Sequence, residues 1–244
     1  LSAVRQSVAD AMDVDCPAGI LVSGGLDSAG VAALASDIAR ERGQEPPVAF
    51  VMGFEDPAYD ETAAAQNLCK HLGQELHVVS APTTAEEIHR ELCAGLQAVG
   101  GPFANPSIVL LRRLSEAKVC LSGDGGDELF GGYPRYRAAQ LYEKYWRHVP
   151  GPLRRLTAKL SGLGDHREMH RFLAGASSGA EHAFASWNNR CPIPECDARM
   201  VTRPYQNTGL ADAMMGFDRD VTLPGNQLAM SDRCGMAFGL EYRL

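Results

Sequence analysis

The segment Ser23, Gly24, Gly25, Leu26, Asp27, Ser28 lies between a short apolar run at 20–22 and an alanine-rich stretch that follows it. Two successive glycines let a backbone approach an oxyanion, and the hydroxyls of Ser23 and Ser28 can donate to it. A helix starting here adds unpaired N–H groups and the positive end of its dipole. This is the chemistry of a phosphate grip. The segment lacks the GK[ST] ending of a Walker-type loop and the GxGxxG of a dinucleotide turn. A carboxylate inside a phosphate cradle calls for a bridging cation, so Asp27 reads as a Mg²⁺ ligand.

A second glycine-rich segment, SGDGGDELFGGY at 122–133, follows another apolar run. Asp124, Asp127 and Glu128 place three acids within five residues, and the glycines at 123, 125 and 126 leave the backbone free to fold them inward. They read as a catalytic set of hard oxygen donors: Asp127 as the second Mg²⁺ ligand, Asp124 as the acid facing substrate. An EF-hand reading fails, because the alternating ligand positions and the closing glutamate are absent.

These loops need elements to hold them. Short apolar or β-branched runs alternate with helical patterns over the first 130 residues, the signature of an α/β fold with a parallel sheet and flanking crossover helices. Strands are expected at 19–22, 48–54, 75–79 and 118–121, and helices at 28–40, 61–72 and 84–99. Gly73 sits where a left-handed cap belongs, and Thr84 with Glu87 forms a capping box. A further helix is expected at 107–116. In an open parallel sheet, ligands lie outside the carboxyl ends of the strands, so the two loops can face one nucleotide. Beyond Tyr136 strand patterns vanish, which divides the chain into an α/β nucleotide-binding core at 1–136 and a mainly helical part at 137–244. Asp232, Arg233, Glu241 and Arg243 read as a charged helix at the end.

Composition limits the function. The net charge of −7 and the absence of any dense Lys/Arg run argue against nucleic acid as a partner. No apolar run reaches the eighteen or so residues of a membrane span, and the first ten residues have no signal-peptide pattern, so a cytoplasmic location is expected. The seven cysteines form no CxxC pair and read as reduced; Cys191 and Cys196 match no common zinc spacing.

The two loops together resemble those of the ATP pyrophosphatase superfamily. SGDGGDELFGGYPRY narrows this to the synthetase domain of glutamine-hydrolysing asparagine synthetases, and RFLAGAS at 171–177, Trp187 with Asn188, and LPGNQLAMSDRCGMAFGLEYR at 223–243 extend the likeness over nearly the whole chain. The resemblance implies an adenine nucleotide alpha hydrolase-like fold and an ATP- and Mg²⁺-dependent, AMP-forming carbon–nitrogen ligase. A carboxylate, aspartate in the leading reading, would be adenylated with release of pyrophosphate, and an amine would displace AMP. It further implies that Val22 and Met52 frame the adenine, that Ser122 and Gly123 contact the nucleotide, that Ser23, Gly24, Gly25, Asp27 and Ser28 hold pyrophosphate, and that Asp27 and Asp127 bind Mg²⁺.

The chain departs from the family pattern around GGPFANPS, where Gly101 and Asn105 stand in place of an acid and an aspartate, and at Met230, which replaces a basic residue and reads as core filler. The family's N-terminal glutaminase domain and a C-terminal lysine are not in these residues, so ammonia is expected from a domain outside them and the chain is expected to be part of a longer protein. A homodimer is compatible. Two alternatives remain: an intramolecular amide-forming relative, of the β-lactam synthetase or macrolactam cyclase type, and an inactive nucleotide-binding fragment. Tyr133 and Tyr136 read as packing residues, and Arg233 with Glu241 as either substrate-orienting groups or an ion pair.

Overall fold

The computed structural model describes residues 2–101, 103, 105–114, 117–162, 166–188 and 208–243. The chain divides into two compact units, Leu1–Gly126 with Pro224–Leu244, and Asp127–Leu223. The last stretch, grouped from sequence with the helical region, thus belongs to the first unit.

The first unit is built on a parallel sheet of β1 (Ala18–Leu21), β2 (Val48–Gly53), β3 (Leu76–Ser80), β4 (Val119–Leu121) and β5 (Glu241–Arg243), in the order β3-β2-β1-β4-β5. Helices α1 (Ser2–Ala11), α2 (Leu26–Glu41), α3 (Thr62–Leu72) and α4 (Ala85–Val99) supply the crossovers and flanks. Strand growth runs outward from β1 to β3 and then returns to place β4 on the other side of β1. The switch point therefore lies between β1 and β4, where a crevice opens beyond the strand ends.

Local chemistry sets these elements. In α2, Ala32, Ala35 and Ala39 are fully buried, and such small side chains let the helix lie close to Ile20, Val22 and Val51 in the main core. Gly73 closes α3 at φ 67°, its N–H reaching Cys69 O. The Thr84 hydroxyl accepts from Glu87 N at 3.2 Å while the Glu87 carboxylate accepts from Thr84 N at 3.4 Å, the reciprocal capping box.

Two expectations are corrected. Over its described residues, 107–114, the expected helix at 107–116 does not form: Pro106–Val109 and Leu111–Leu114 are separate 3₁₀ turns, the first capped by Asn105, whose Oδ1 accepts from Ser107 N at 3.0 Å. Pro106 and the β-branched Ile108 and Val109 favour short turns over a continuing helix. Nor does the chain end in one charged helix. The helix Ala229–Ala237 stops, Gly239 turns at φ 79°, and β5 completes the sheet beside β4. Glu241 N donates to Lys118 O at 2.8 Å and Ser122 N to Arg243 O at 2.9 Å. The open edge of β4 supplies partners that no local pattern reveals.

The second unit is helical: α5 (Gly126–Phe130) leads into it, followed by α6 (Pro134–Lys144), α7 (Gly151–Ser161), α8 (Arg167–Gly175), α9 (Ala180–Asn188) and α10 (Leu210–Phe217), with α11 being Ala229–Ala237 of the first unit. Its core gathers Tyr136, Tyr142, Phe184, Trp187 and Met214. The Trp187 indole lies so close to Gly175 that an added Cβ would meet Nε1 at 2.1 Å, which explains the glycine in RFLAGAS. The Asp218 carboxylate is 2% exposed and accepts from Arg135 at 2.7 Å and Tyr136 Oη at 2.6 Å, satisfying a buried charge.

Candidate functional site

Both loops leave the carboxyl ends of neighbouring strands, β1 and β4. After β1, Val22 is buried and its N–H extends the ladder to Phe50 O at 2.9 Å. The loop then folds on its own serines: Ser28 Oγ accepts from Ser23 N at 3.0 Å and lies 2.8 Å from Ser23 Oγ, which accepts from Gly25 N at 3.2 Å. Gly25 is the N-cap of α2 and provides no side-chain cap, so the start of that helix keeps donors for an anion. Asp27 lies exposed in the first turn.

The second loop packs directly on the first. A Cβ on Gly123 would meet Ser28 N at 2.7 Å and Asp27 C at 3.0 Å, and one on Gly126 would meet Asp27 Cγ at 2.6 Å. Gly123 is therefore required by close approach of backbone, Gly126 faces the movable Asp27 side chain, and Gly125, at φ 88°, is required by its left-handed backbone. Ser122 is 5% exposed, and its hydroxyl accepts from Asp124 N at 3.2 Å. Burial raises the Asp124 carboxyl above the ordinary range, against the opposing effect of the Ser122 hydroxyl.

Asp124 lines a cavity of about 170 Å³ with Met52, Leu111, Gln227, Met230 and Tyr242, at the carboxyl ends of β1, β2 and β4. Met230 is 5% exposed and packs with Val99, Ile108 and Leu111, as core filler should. Asn105 Nδ2 donates to Gln227 Oε1 at 3.0 Å. Larger open clefts of about 480 and 620 Å³ lie among Arg137, Leu141 and Trp187, and beside His77 and Arg112, but neither carries loop residues.

Asp127 and Glu128 belong to the second unit. The Asp127 carboxylate lies over Gly132, where an added Cβ would come 1.9 Å from its Oδ1. Glu128 is 4% exposed and accepts from Tyr133 Oη at 2.8 Å, so its carboxylate is engaged within its own unit. Burial and the Glu128 carboxylate push the Tyr133 hydroxyl upward, and burial with Asp218 does the same for Tyr136; both rings pack. Arg233 and Glu241 do not pair with each other: Arg233 donates to Val99 O at 2.8 Å and Glu241 accepts from Arg243 at 2.8 Å. Cys191 and Cys196 lie outside the described residues.

Two side chains escaped sequence reasoning. Glu61, at the N-cap of α3, accepts from Gly24 N at 3.1 Å, placing a carboxylate oxygen on an amide of the phosphate-type loop. An acid opening a helix is too common to have marked it. Tyr242 enters the cavity only because β5 joins the sheet.

Among the described residues, no three His, Cys, Asp or Glu side chains gather as ready-made metal ligands. Mg²⁺ in nucleotide sites is typically bound through one or two carboxylates, with substrate phosphates and water completing its octahedron. The exposed carboxylate of Asp27 beside the phosphate-type loop fits that donor requirement.

A parallel α/β unit with two glycine-rich loops in contact at its topological switch point is the class that fold and loops define. A family model described as asparagine synthase matches residues 1–244, and the chain belongs to that family. A protein of Mycobacterium tuberculosis named putative asparagine synthetase [glutamine-hydrolyzing] is 30% identical over 262 residues, covering 99% of this chain and 39% of its own length. The asparagine synthetase [glutamine-hydrolyzing] 1 of Bacillus subtilis is 32% identical over 272 residues, covering 99% and 41%. The chain thus spans about two fifths of these relatives' length. No helix among the described residues is long and apolar enough to cross a membrane.

Proposed function

We propose that this chain is the adenylating part of an ATP-dependent amide ligase. A substrate carboxylate, aspartate in the leading reading, attacks the α-phosphorus of ATP; pyrophosphate leaves, and ammonia then displaces AMP from the acyl-adenylate to give the amide. The observation that carries this reading is the contact of the two loops, with Gly123 and Gly126 seated on Asp27 and Ser28. Loop amides and the Ser23 and Ser28 hydroxyls receive the departing pyrophosphate, and Val22, Met52, Ser122 and Gly123 border the nucleotide. Charge stabilisation of this kind dominates nucleotidyl transfer and needs no side-chain nucleophile. Asp27 and Asp127 are the proposed Mg²⁺ ligands; the bound ion would neutralise charge on the phosphate oxygens. Asp124 faces the carboxylate substrate. Ammonia would come from a glutaminase domain, which fits the glutamine-hydrolysing names of the relatives.

The test is pyrophosphate release by the full-length protein, with aspartate plus ammonia and separately with other carboxylates. AMP and pyrophosphate are expected in equal amounts, and ADP in their place would end the reading. Intramolecular amide formation is a second reading, favoured by Asn105, whose amide is tied to Gln227 where the family pattern has an aspartate. Turnover independent of ammonia would select it.

A further inference from the structure

Tyr242 stands in β5 opposite Cys120, and its ring lies against Gly235, where an added Cβ would meet Cδ2 at 3.0 Å. The hydroxyl oxygen is buried and has no partner among the described residues. Buried hydroxyls are almost always hydrogen-bonded, and phenylalanine would fill the same space without an unmet donor. An orphan donor kept in place points to a partner that arrives later.

Its surroundings indicate which partner. Tyr242 lines the cavity of about 170 Å³ with Asp124, Ser107, Gln227 and Ser231, between apolar walls that include Met52 and Leu114. Drug-sized ligands occupy roughly 300–1,000 Å³, so this space suits a molecule of amino-acid size or one portion of a larger ligand. Burial, then the neighbouring Cys120 and Asp124, hold the phenol proton on well above the ordinary range, which keeps the group a donor. A carboxylate at Asp124 offers the complementary charge for an ammonium group.

We propose that Tyr242 is a substrate-binding residue, its hydroxyl donating a hydrogen bond to a carboxylate oxygen of an α-amino acid whose ammonium faces Asp124. This rests on the ligase reading above and deepens it by naming the group that anchors the amino acid.

The experiment measures L-aspartate binding to the full-length protein by calorimetry, with saturating Mg²⁺ and α,β-methylene-ATP, in wild type and Tyr242→Phe. A charge-assisted hydrogen bond predicts roughly ten- to hundredfold weaker aspartate binding in the variant. Affinity for the nucleotide analogue should stay within about twofold, and the ligand-free variant should melt at the same or a higher temperature, because only an unsatisfied group is lost. Equal aspartate affinity in both forms overturns the proposal, even where pyrophosphate release with aspartate upholds the ligase reading. Weakened binding without any pyrophosphate release from wild type does the reverse, removing the ligase reading and supporting Tyr242. A wild type that binds no aspartate, or a variant that melts lower with aspartate affinity unchanged, refutes the assignment.

Discussion

Replacing Gly123 with alanine probes the contact on which the functional reading stands. The new Cβ would lie 2.7 Å from Ser28 N, 3.0 Å from Asp27 C and 3.1 Å from Ser28 Cα, and ordinary contact begins near 3.4 Å. The two loops must therefore part by about 0.7 Å. All three atoms are backbone at the start of α2, and that helix is held by Ala32, Ala35 and Ala39, which are fully buried. The second loop must give way, taking Ser122 and Asp124 with it. A misplacement of about 1 Å costs on the order of 100-fold in rate, so kcat/KM for ATP should fall by about 30- to 100-fold, or about 2–3 kcal/mol of transition-state stabilisation. The assay is steady-state pyrophosphate release by the full-length protein, with circular dichroism to show that the fold persists. Gly30→Ala is the matched control: it lies inside α2 with nothing within 4 Å of an added Cβ, and should add about 0.5–1 kcal/mol of stability at unchanged turnover. A folded Gly123→Ala protein with kcat/KM within threefold of wild type would refute the argument.

Other perturbations test separate parts. Asp27→Ala should abolish Mg-ATP turnover while leaving the melting temperature nearly unchanged, because the side chain is exposed; persistent turnover would remove Asp27 as a ligand. Glu61→Ala frees the Gly24 amide from a competing carboxylate and should lower KM for ATP by about two- to tenfold, whereas a higher KM would mean that Glu61 helps to hold the nucleotide. The Thr83 and Thr84 amides and the Arg113 side chain hold the Glu87 carboxyl down to about 2 from 4.5. Because its folded value lies below the unfolded one, the stabilisation is complete above pH 4.5 and is lost as pH falls toward 2. Glu87→Gln should therefore lie below wild type in thermal stability at neutral pH, and the gap should close across that acid window.

Local chemistry was largely legible in the sequence. The capping box at Thr84 and Glu87, the left-handed cap at Gly73 and the first four strands follow from interactions between residues a few positions apart, so their neighbours in the sequence carry the signal. The turn from β1 into α2 was legible for the same reason: its glycines, its hydroxyls and the helix start are contiguous. The expectation of a helix at 107–116 fails over 107–114 because the apolar spacing suits a helix while Pro106 and two β-branched residues favour short turns.

Sequence alone determined an α/β core with glycine-rich loops after two of its strands. Tertiary structure decided that these strands are neighbours at the switch point, that Gly123 is glycine because the backbone of Asp27 and Ser28 presses on it, and that Glu61 touches Gly24. It also turned residues 241–243 into a strand, bringing Tyr242 into the cavity beside Asp124. The physical reason is common to all of these: pairing across a sheet edge and close backbone approach depend on residues tens to hundreds of positions apart, and no local periodicity encodes which distant groups will meet.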